Sequence, residues 1–264
     1  MWIEDRENET HYYGFLGIYR EEDFWEGQEP VWLDFQELQG VNGYCAPEAE
    51  TAIKGKIRDL PVRGIHFLDS GNYHYLSKFW LEKLREPFSL LVFDNHTDMQ
   101  EAAFFGLLSC GSWAGEVLDT HQFLSHICVA GPGLKDFQEY KGQAGTKLTR
   151  ICREDLSDRG EKILQEFLET DPDLPLYISI DKDVLRQEDA RTNWDQGELP
   201  LDQLLRWVDL AFEKRKVIGV DICGENPSDT ARPISGKDLQ INSRTNRALL
   251  LFLKKKIKSQ VILD

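Results

Sequence analysis

The sequence has few positive charges and no long apolar run. Its 264 residues include 31 Lys and Arg against 46 Asp and Glu, which gives a formal net charge of −15. That balance argues against nucleic acid or an anionic membrane surface as the main partner. No apolar run is long enough to span a bilayer, and the first residues lack the apolar core of a secretion signal. We therefore expect a cytoplasmic protein.

Cysteine is scarce and scattered. The five cysteines are odd in number and never form a CxxC pair, so neither a zinc knuckle nor a framework of disulfides is indicated. In a reducing compartment such residues are usually buried thiols. We expect this of most of them: Cys45, Cys110, Cys128, Cys152 and Cys223.

Short apolar runs alternate with amphipathic helices from about residue 63 onward. That order predicts a three-layer α/β/α fold, in which helices cover both faces of a mostly parallel central sheet. With 41% apolar residues, the chain is expected to form one α/β domain over residues 1–264. At the C-terminal end we predict a helix over residues 247–258 and a last short strand over residues 261–263.

The apolar run Leu90–Phe93 predicts a buried strand, and three potential metal ligands follow it directly. These are Asp94, His96 and Asp98. A turn after Asp94 would break the two-residue alternation of the strand and gather all three side chains around one point. Two carboxylates and an imidazole suit divalent cations such as Mn²⁺, Fe²⁺ or Zn²⁺. The alternative is a solvated turn, in which Asp, Asn and Thr are common.

A second apolar run, residues 176–180, ends in the same way with Asp181 and Asp183. The carboxyl ends of parallel strands meet at one edge of an open α/β sheet, which is where ligands bind. Four carboxylates cannot all stay ionised at contact distance without cations. The cluster therefore predicts a dinuclear metal site, with a single ion as the alternative.

Four stretches of the sequence resemble motifs of the ureohydrolase family, which includes arginase and agmatinase. Residues 94–98, Asp-Asn-His-Thr-Asp, resemble its Asp-Ala-His-x-Asp motif, and residues 179–183, Ser-Ile-Asp-Lys-Asp, resemble Ser-x-Asp-x-Asp. Residues 71–74, Gly-Asn-Tyr-His, are a weaker match to Gly-Gly-Asp-His, and residues 224–227, Gly-Glu-Asn-Pro, resemble Glu-x-Asn-Pro with one residue lost. The order of the motifs agrees from about residue 64 to 230, whereas residues 1–60 are poorly matched.

The resemblance implies an arginase/deacetylase-like fold and a metal-dependent hydrolase of a linear C–N bond in a guanidine, amidine or amide. It implies two Mn²⁺ ions per chain, although the same ligand types also accept other divalent metals. Six residues would hold the ions by position: Asp94 and Asp181 as bridges, His74 and Asp98 on one ion, and His96 and Asp183 on the other.

Catalytic roles follow from the same resemblance. A hydroxide that bridges the two ions would be the nucleophile, because two cations lower the pKa of water enough to supply hydroxide at neutral pH. Asp98 would relay a proton to the departing amine, and Glu225 would face a cationic guanidinium or amidine. The implied partner is a small cationic or amide-type substrate. Family members are commonly oligomeric, which allows a homo-oligomer here.

The sequence also departs from the family. Residues 107–113, where a shuttle histidine is expected, contain none, and Cys110 or Ser112 falls nearest. Gln100 stands where an Asn of the arginase substrate clamp is expected, and Val-Leu-Arg at residues 184–186 replaces the usual Asp-Pro. True arginase activity is therefore not expected. Two alternatives to a dinuclear hydrolase remain, namely an arginase-like metal-binding protein without catalysis and a deacetylase-type amidohydrolase with one Zn²⁺.

Some of these residues also have a structural interpretation. His74 could be an ordinary first-turn helical residue with His66 as the competing ligand, although we place His66 in the core of a strand buried on both faces. Glu225 could cap a turn before Pro227. The loop 192–197 is either a specificity loop over the site or a polar turn.

Overall fold

The computed structural model describes residues 9–101, 106–142, 144–226 and 235–263. Strands within these ranges are β1 Thr10–Gly14, β2 Val31–Asp34, β3 Ile65–Phe67, β4 Phe88–Phe93, β5 Leu124–Ala130, β6 Leu148–Ile151, β7 Leu176–Asp181 and β8 Val217–Cys223. They form one sheet in the order β2-β1-β3-β8-β7-β4-β5-β6, and every pair of neighbours is parallel. The predicted parallel sheet is confirmed.

Helices cover both faces of this sheet. The α-helices of the described residues are α1 Pro47–Ile57, α2 Leu76–Leu81, α3 Trp113–Thr120, α4 Gly160–Glu169, α5 Leu201–Lys214 and α6 Gly236–Leu263. Apolar residues of α4, α5 and α6 belong to one core cluster, and those of α1, α2 and α3 belong to another. The two clusters are the two interfaces of a three-layer α/β/α fold, as the sequence predicted.

Strand β4 shows how the sequence specifies this arrangement. All of its residues are buried, which is usual for a parallel strand covered on both faces. Leu91 and Phe93 pack in the cluster of α4, α5 and α6, whereas Leu90 and Val92 pack in the cluster of α1, α2 and α3. Side chains thus alternate between the two layers, and a continuous apolar run is required in place of an alternating one.

The topology brings the predicted motifs to one edge of the sheet. Strand β7 lies between β4 and β8, and β3 lies beside β8. Because the strands are parallel, their carboxyl ends meet at the same edge. The segments that follow Phe93, Asp181, Phe67 and Cys223 are therefore neighbours although they are far apart in the chain.

The C-terminal segment differs from the prediction. The strand expected over residues 261–263 is wrong, because α6 continues to Leu263. The apolar spacing of Leu250, Leu253 and Ile257 is helical and reaches Val261, and a run of three apolar residues does not by itself separate a helix from a strand. Among the described residues, neither α6 nor any other helix is long and apolar enough to cross a membrane.

Candidate metal centre

The turn after β4 gathers the first three predicted ligands. The backbone N–H of His96 donates to Asp94 Oδ1 at 2.6 Å, a bond that turns the chain directly after the strand. Asp98 has a left-handed backbone with φ of 49°, which is uncommon for a residue with a side chain. Together these features turn the chain out of the extended strand conformation, and the side chains of Asp94, His96 and Asp98 all line the same cavity.

The segment after β7 supplies two more carboxylates. Asp181 Oδ1 accepts a hydrogen bond from the backbone N–H of Asp183 at 2.9 Å, which starts a short 3-10 turn. Asp183 Oδ1 in turn accepts from the backbone N–H of Asn95 at 2.9 Å. This second bond ties the two motifs together across adjacent strands. Both aspartates are buried, at 3% and 1% exposure.

His74 approaches from the short turn after β3. Its Nδ1 lies 3.1 Å from Asp94 Oδ2, 2.9 Å from Asp98 Oδ2 and 3.7 Å from Asp181 Oδ2. Gly71 allows this approach, because a Cβ at that position would lie 2.8 Å from Asp181 Oδ2. The competing residue His66 lies in the core, stacked on Trp80 with ring centroids 3.8 Å apart.

The opposite ring nitrogen of His74 is held by a chain of buried polar groups. His74 Nε2 lies 2.9 Å from Ser179 Oγ, and the Ser179 hydroxyl donates to Asp221 Oδ1 at 2.5 Å. All three side chains are buried. If Nε2 carries the proton and donates a hydrogen bond to Ser179 Oγ, Nδ1 is unprotonated, and its lone pair faces the carboxylates. Metal-binding histidines are usually oriented by such a bond on the other nitrogen.

His96 completes a second group on the cavity side. Its Nδ1 lies 2.8 Å from Asp183 Oδ2 and 3.5 Å from Asp94 Oδ1. Possible ligand atoms therefore form two groups that share Asp94, one with His74 and Asp98 and one with His96 and Asp183. Ligand atoms about 3 Å apart are what an octahedral shell with bonds of about 2.1 Å requires.

The polar atoms of this cluster fit a bound cation. His74 Nδ1 and Asp94 Oδ2 are buried and make no hydrogen bond, although they face each other. Buried polar atoms normally have partners, and unpaired ones need an explanation such as an ion. Carboxylates and imidazoles are common ligands of Mn²⁺, Fe²⁺ and Zn²⁺. The residues present therefore suit divalent cations.

The electrostatics lead to the same conclusion. Burial and the neighbouring carboxylates raise the pKa of Asp181 and Asp183. Burial opposes protonation of His96, but hydrogen bonds to Asp183 and Asp94 outweigh it and raise its pKa to about 12. Without cations, the cluster would thus hold protons to balance its carboxylates. Divalent cations would displace those protons.

The cluster forms the floor of a cavity of about 150 Å³. Its remaining wall is neutral among the described residues: Gly43, Tyr44, Gly71, Gln100, Ser109, Cys110, Gly111 and Trp194. Trp194 belongs to the loop 192–197, is 44% exposed, and lies edge-on to His96 with ring centroids 5.7 Å apart. That loop therefore lies beside the site, and its role as a specificity loop stays a prediction.

A protein-family comparison identifies the family of this chain. The model of the arginase family matches residues 66–236. The chain belongs to the arginase family. An uncharacterised protein of Thermotoga maritima is 30% identical over 256 residues, which cover 93% of this chain and 90% of that protein. The predicted family is thus confirmed.

Solved structures of low sequence identity share the arginase fold. Formimidoylglutamase from Bacillus subtilis has a TM-score of 0.68 at 15% identity, covering 94% of this chain and 87% of that chain. Proclavaminate amidino hydrolase from Streptomyces clavuligerus also has a TM-score of 0.68 at 15% identity, covering 95% and 92%. These likenesses confirm the predicted fold class.

Glu225 is not among the described residues that line the cavity. Its side chain is fully buried, forms an ion pair with Lys182, and accepts hydrogen bonds from Asn242 and Asn246 of α6 at 2.9 and 2.8 Å. Gly224 occupies the position next to the cluster, since a Cβ there would lie 2.5 Å from Asp181 Oδ1. Contact between Glu225 and a substrate would require the pair with Lys182 to open, so that role stays a prediction.

Some residues at the centre were missed by the sequence analysis. The Trp113 indole donates to Asp98 Oδ2 at 2.7 Å, and the Cys223 thiol donates to Asp181 Oδ2 at 3.2 Å. Ser179 and Asp221 orient His74 as described above. A usable signal did exist for the last two, because each is a polar residue inside an otherwise apolar buried strand.

Proposed function

We propose that the chain is a metal-dependent hydrolase of a linear C–N bond other than a peptide bond, in a guanidine, amidine or amide. The observation that carries the proposal is the pair of ligand groups that share Asp94 on the floor of a cavity open to small molecules. Membership of the arginase family supports it. Two of the similar structures are named as a formimidoylglutamase and an amidino hydrolase, which agrees with this class of reaction.

The cations would be held by the residues that the sequence predicted. His74 and Asp98 would bind one ion, and His96 and Asp183 would bind the other. Asp94 belongs to both groups of possible ligands, and Asp94 and Asp181 would be shared by the two ions. Two Mn²⁺ ions per chain are the expectation. When bound, two such cations would lower the pKa of a water molecule enough to supply hydroxide near neutral pH.

Asp98 is the best candidate for proton transfer. It lies on the cavity wall, and one of its oxygens is fixed by the Trp113 indole. A carboxylate so placed would take a proton from the attacking water and return it to the departing nitrogen. The Trp113 bond would keep the carboxylate aimed at the cavity during both steps.

Cys110 would contribute as a neutral group. It lies on the cavity wall, and burial together with the charge of Asp98 raises its pKa to about 12. Buried thiols are poor nucleophiles, and we assign Cys110 no covalent role. Gln100 lies on the same wall. The Cys110 thiol, a weak hydrogen-bond donor, and the Gln100 amide would together orient the substrate.

The second candidate is a metal-binding protein without catalysis. The positions of the histidines support it. All six histidines lie in the described part of the chain, and only His74 and His96 are at the centre. His11 and His66 stack in the core, His121 lies 3.0 Å from the Leu81 carbonyl, and His126 pairs with Asp171. Apart from these two predicted ligands, no histidine of the described residues lies at the centre to shuttle a proton.

Metal content is the first test. The purified protein is analysed for metals as isolated and after loading with Mn²⁺, beside a variant carrying Asp94→Ala and Asp181→Ala. A control carries Glu161→Ala and Glu213→Ala, two exposed acidic residues of α4 and α5. We expect two metals per chain, retained in the control and lost in the first variant. One metal per chain would favour the single-ion amidohydrolase, and none would exclude both hydrolases.

Activity is the second test. The Mn²⁺-loaded protein is assayed for release of ammonia, urea or amine from a panel of guanidines, amidines and linear amides. Turnover that is lost in the variant carrying Asp98→Asn, with metal content unchanged, would support the role of Asp98. Two bound metals without turnover on any compound of the panel would instead favour the non-catalytic candidate.

A further inference from the structure

Cys223 is a buried thiol in contact with the metal centre. It is the last residue of β8, its side chain is fully buried, and its Sγ lies 3.2 Å from Asp181 Oδ2. Ligand atoms of Cys223, Asp181 and His74 all lie within 4.8 Å of one another. None of the other four cysteines, all of which the structure describes, belongs to such a group.

A second observation points to a ligand at this place. His74 Nδ1 is a member of the same group, is buried, and makes no hydrogen bond. The thiol therefore faces a buried imidazole nitrogen that makes no hydrogen bond and a carboxylate, and not the apolar surroundings that usually contain a structural cysteine. An imidazole, a carboxylate and a sulfur are three typical ligands of Zn²⁺, and here their ligand atoms lie within 4.8 Å of one another.

We propose that Cys223 binds one of the two metal ions through its sulfur, together with His74 and Asp181, so that the two metal positions differ in chemistry. This inference rests on the proposed metal-dependent function and deepens it. The position at Cys223 would favour thiophilic ions such as Zn²⁺, Co²⁺ or Fe²⁺. The position formed by Asp94, His96 and Asp183 offers only oxygen and nitrogen and suits Mn²⁺. On binding, the thiol would lose its proton to solvent, since thiols that bind metals are deprotonated.

Cobalt absorption tests this assignment without an activity assay. The metal-free full-length protein is loaded with Co²⁺, and its near-ultraviolet and visible spectra are recorded. We expect a thiolate-to-cobalt charge-transfer band in the near-ultraviolet beside the visible bands of the ion itself. Cys223→Ser should lose the charge-transfer band and keep visible bands from the second position. Cys110→Ser is the matched control, because it removes the cavity-wall thiol and should leave the band in place.

X-ray absorption of the unmodified protein loaded with Zn²⁺ gives a second measurement that does not depend on a variant folding. A sulfur neighbour at about 2.3 Å is expected. Absence of both the charge-transfer band and the sulfur neighbour would overturn the proposal, as would a band that survives Cys223→Ser. Two metals per chain without sulfur would refute only this inference, whereas no bound metal would refute the proposed function as well. A sulfur–metal bond without turnover would leave this inference standing and remove the hydrolase.

Discussion

Lys182 and Glu225 form an ion pair in which both side chains are fully buried, next to the candidate metal centre. Lys182 stands between Asp181 and Asp183 in the chain, and its ammonium also donates to Asn246 Oδ1 at 2.9 Å. The Asn246 amide in turn donates to Glu225 Oε1. The charge of Glu225 is therefore balanced within the protein before any substrate binds.

This pairing predicts a large stability effect for single substitutions. Glu225→Gln would leave the buried Lys182 ammonium without its paired carboxylate, which typically costs about 3–5 kcal/mol. Adding Lys182→Met should restore most of the lost stability, because removing both charges of a buried pair is often neutral. Urea unfolding of the three proteins measures this. A single variant as stable as the wild type would mean that the pair is not formed.

The double variant also separates two roles of Glu225. If Glu225 only balances Lys182, the folded double variant should bind metals like the wild type and keep turnover. If Glu225 opens to meet a substrate cation, turnover should be lost while stability and metal content are kept. The structure as described favours the first outcome, because Glu225 has no exposed surface and does not line the cavity.

The same pairing bears on the charge of the substrate. Described residues of the cavity wall outside the cluster carry no charge, and Glu225 is occupied by Lys182. A guanidinium would have to leave water and approach two divalent cations with no free carboxylate to compensate it. We therefore expect ureidobutyrate to have a higher kcat/KM than guanidinobutyrate, which has the same length but a charged end. A preference of about 10-fold or more for the guanidino compound would contradict this.

Glu22 lies in the same buried network and predicts a dependence of stability on pH. Its carboxyl group accepts from Asn246 at 2.8 Å, and burial and then the charge of Glu225 raise its pKa to about 9. Between its ordinary pKa of about 4 and this value, folding must place a proton on Glu22 that the unfolded chain has lost. The free energy of unfolding should therefore fall as the pH rises through this window.

Glu22→Gln tests this sign. The amide needs no proton, so the variant should gain stability over the wild type as the pH rises from about 5 to about 9. Glu21→Gln is the matched control, since Glu21 is an exposed neighbour in the sequence. Thermal unfolding at several pH values measures the difference. A difference that stays constant with pH would show that Glu22 is ionised in the folded protein.

The parallel sheet and the position of the ligand motifs could be predicted from the sequence for a physical reason. Leu90–Phe93 and residues 176–180 are too apolar to be anything but buried on both faces, and the polar residues directly after them mark where the strands end. Parallel strands then place those ends at one edge. Position along a strand was enough to bring Asp94 and Asp181 together.

The contacts of the Glu225 side chain could not be predicted from the sequence in this way. Its direction depends on Gly224, whose positive φ of 95° turns the chain beside Asp181, and on the packing of α6. Asn242 and Asn246, which hold Glu225, belong to a helix whose sequence carries no sign of that contact. The contact of Cys223 with Asp181 could not be predicted either, because a cysteine at the end of the buried strand β8 is indistinguishable in the sequence from an ordinary core residue.

The chain of groups behind His74 predicts an effect on metal affinity that is separate from catalysis. Ser179 joins His74 Nε2 to Asp221, so Ser179→Ala would free the imidazole to rotate and would leave Asp221 without this donor. Loss of such an orienting partner typically weakens metal binding by about 10–100-fold. Isothermal titration of the metal-free protein with Mn²⁺ measures the affinity.

Ser77→Ala is the control. Ser77 Oγ lies 3.3 Å from Ser179 Oγ, and among the described contacts this hydroxyl makes no bond to His74, so its removal should have a smaller effect on the affinity. Equal affinities for the wild type and Ser179→Ala would mean that the six predicted ligands hold their geometry without this support.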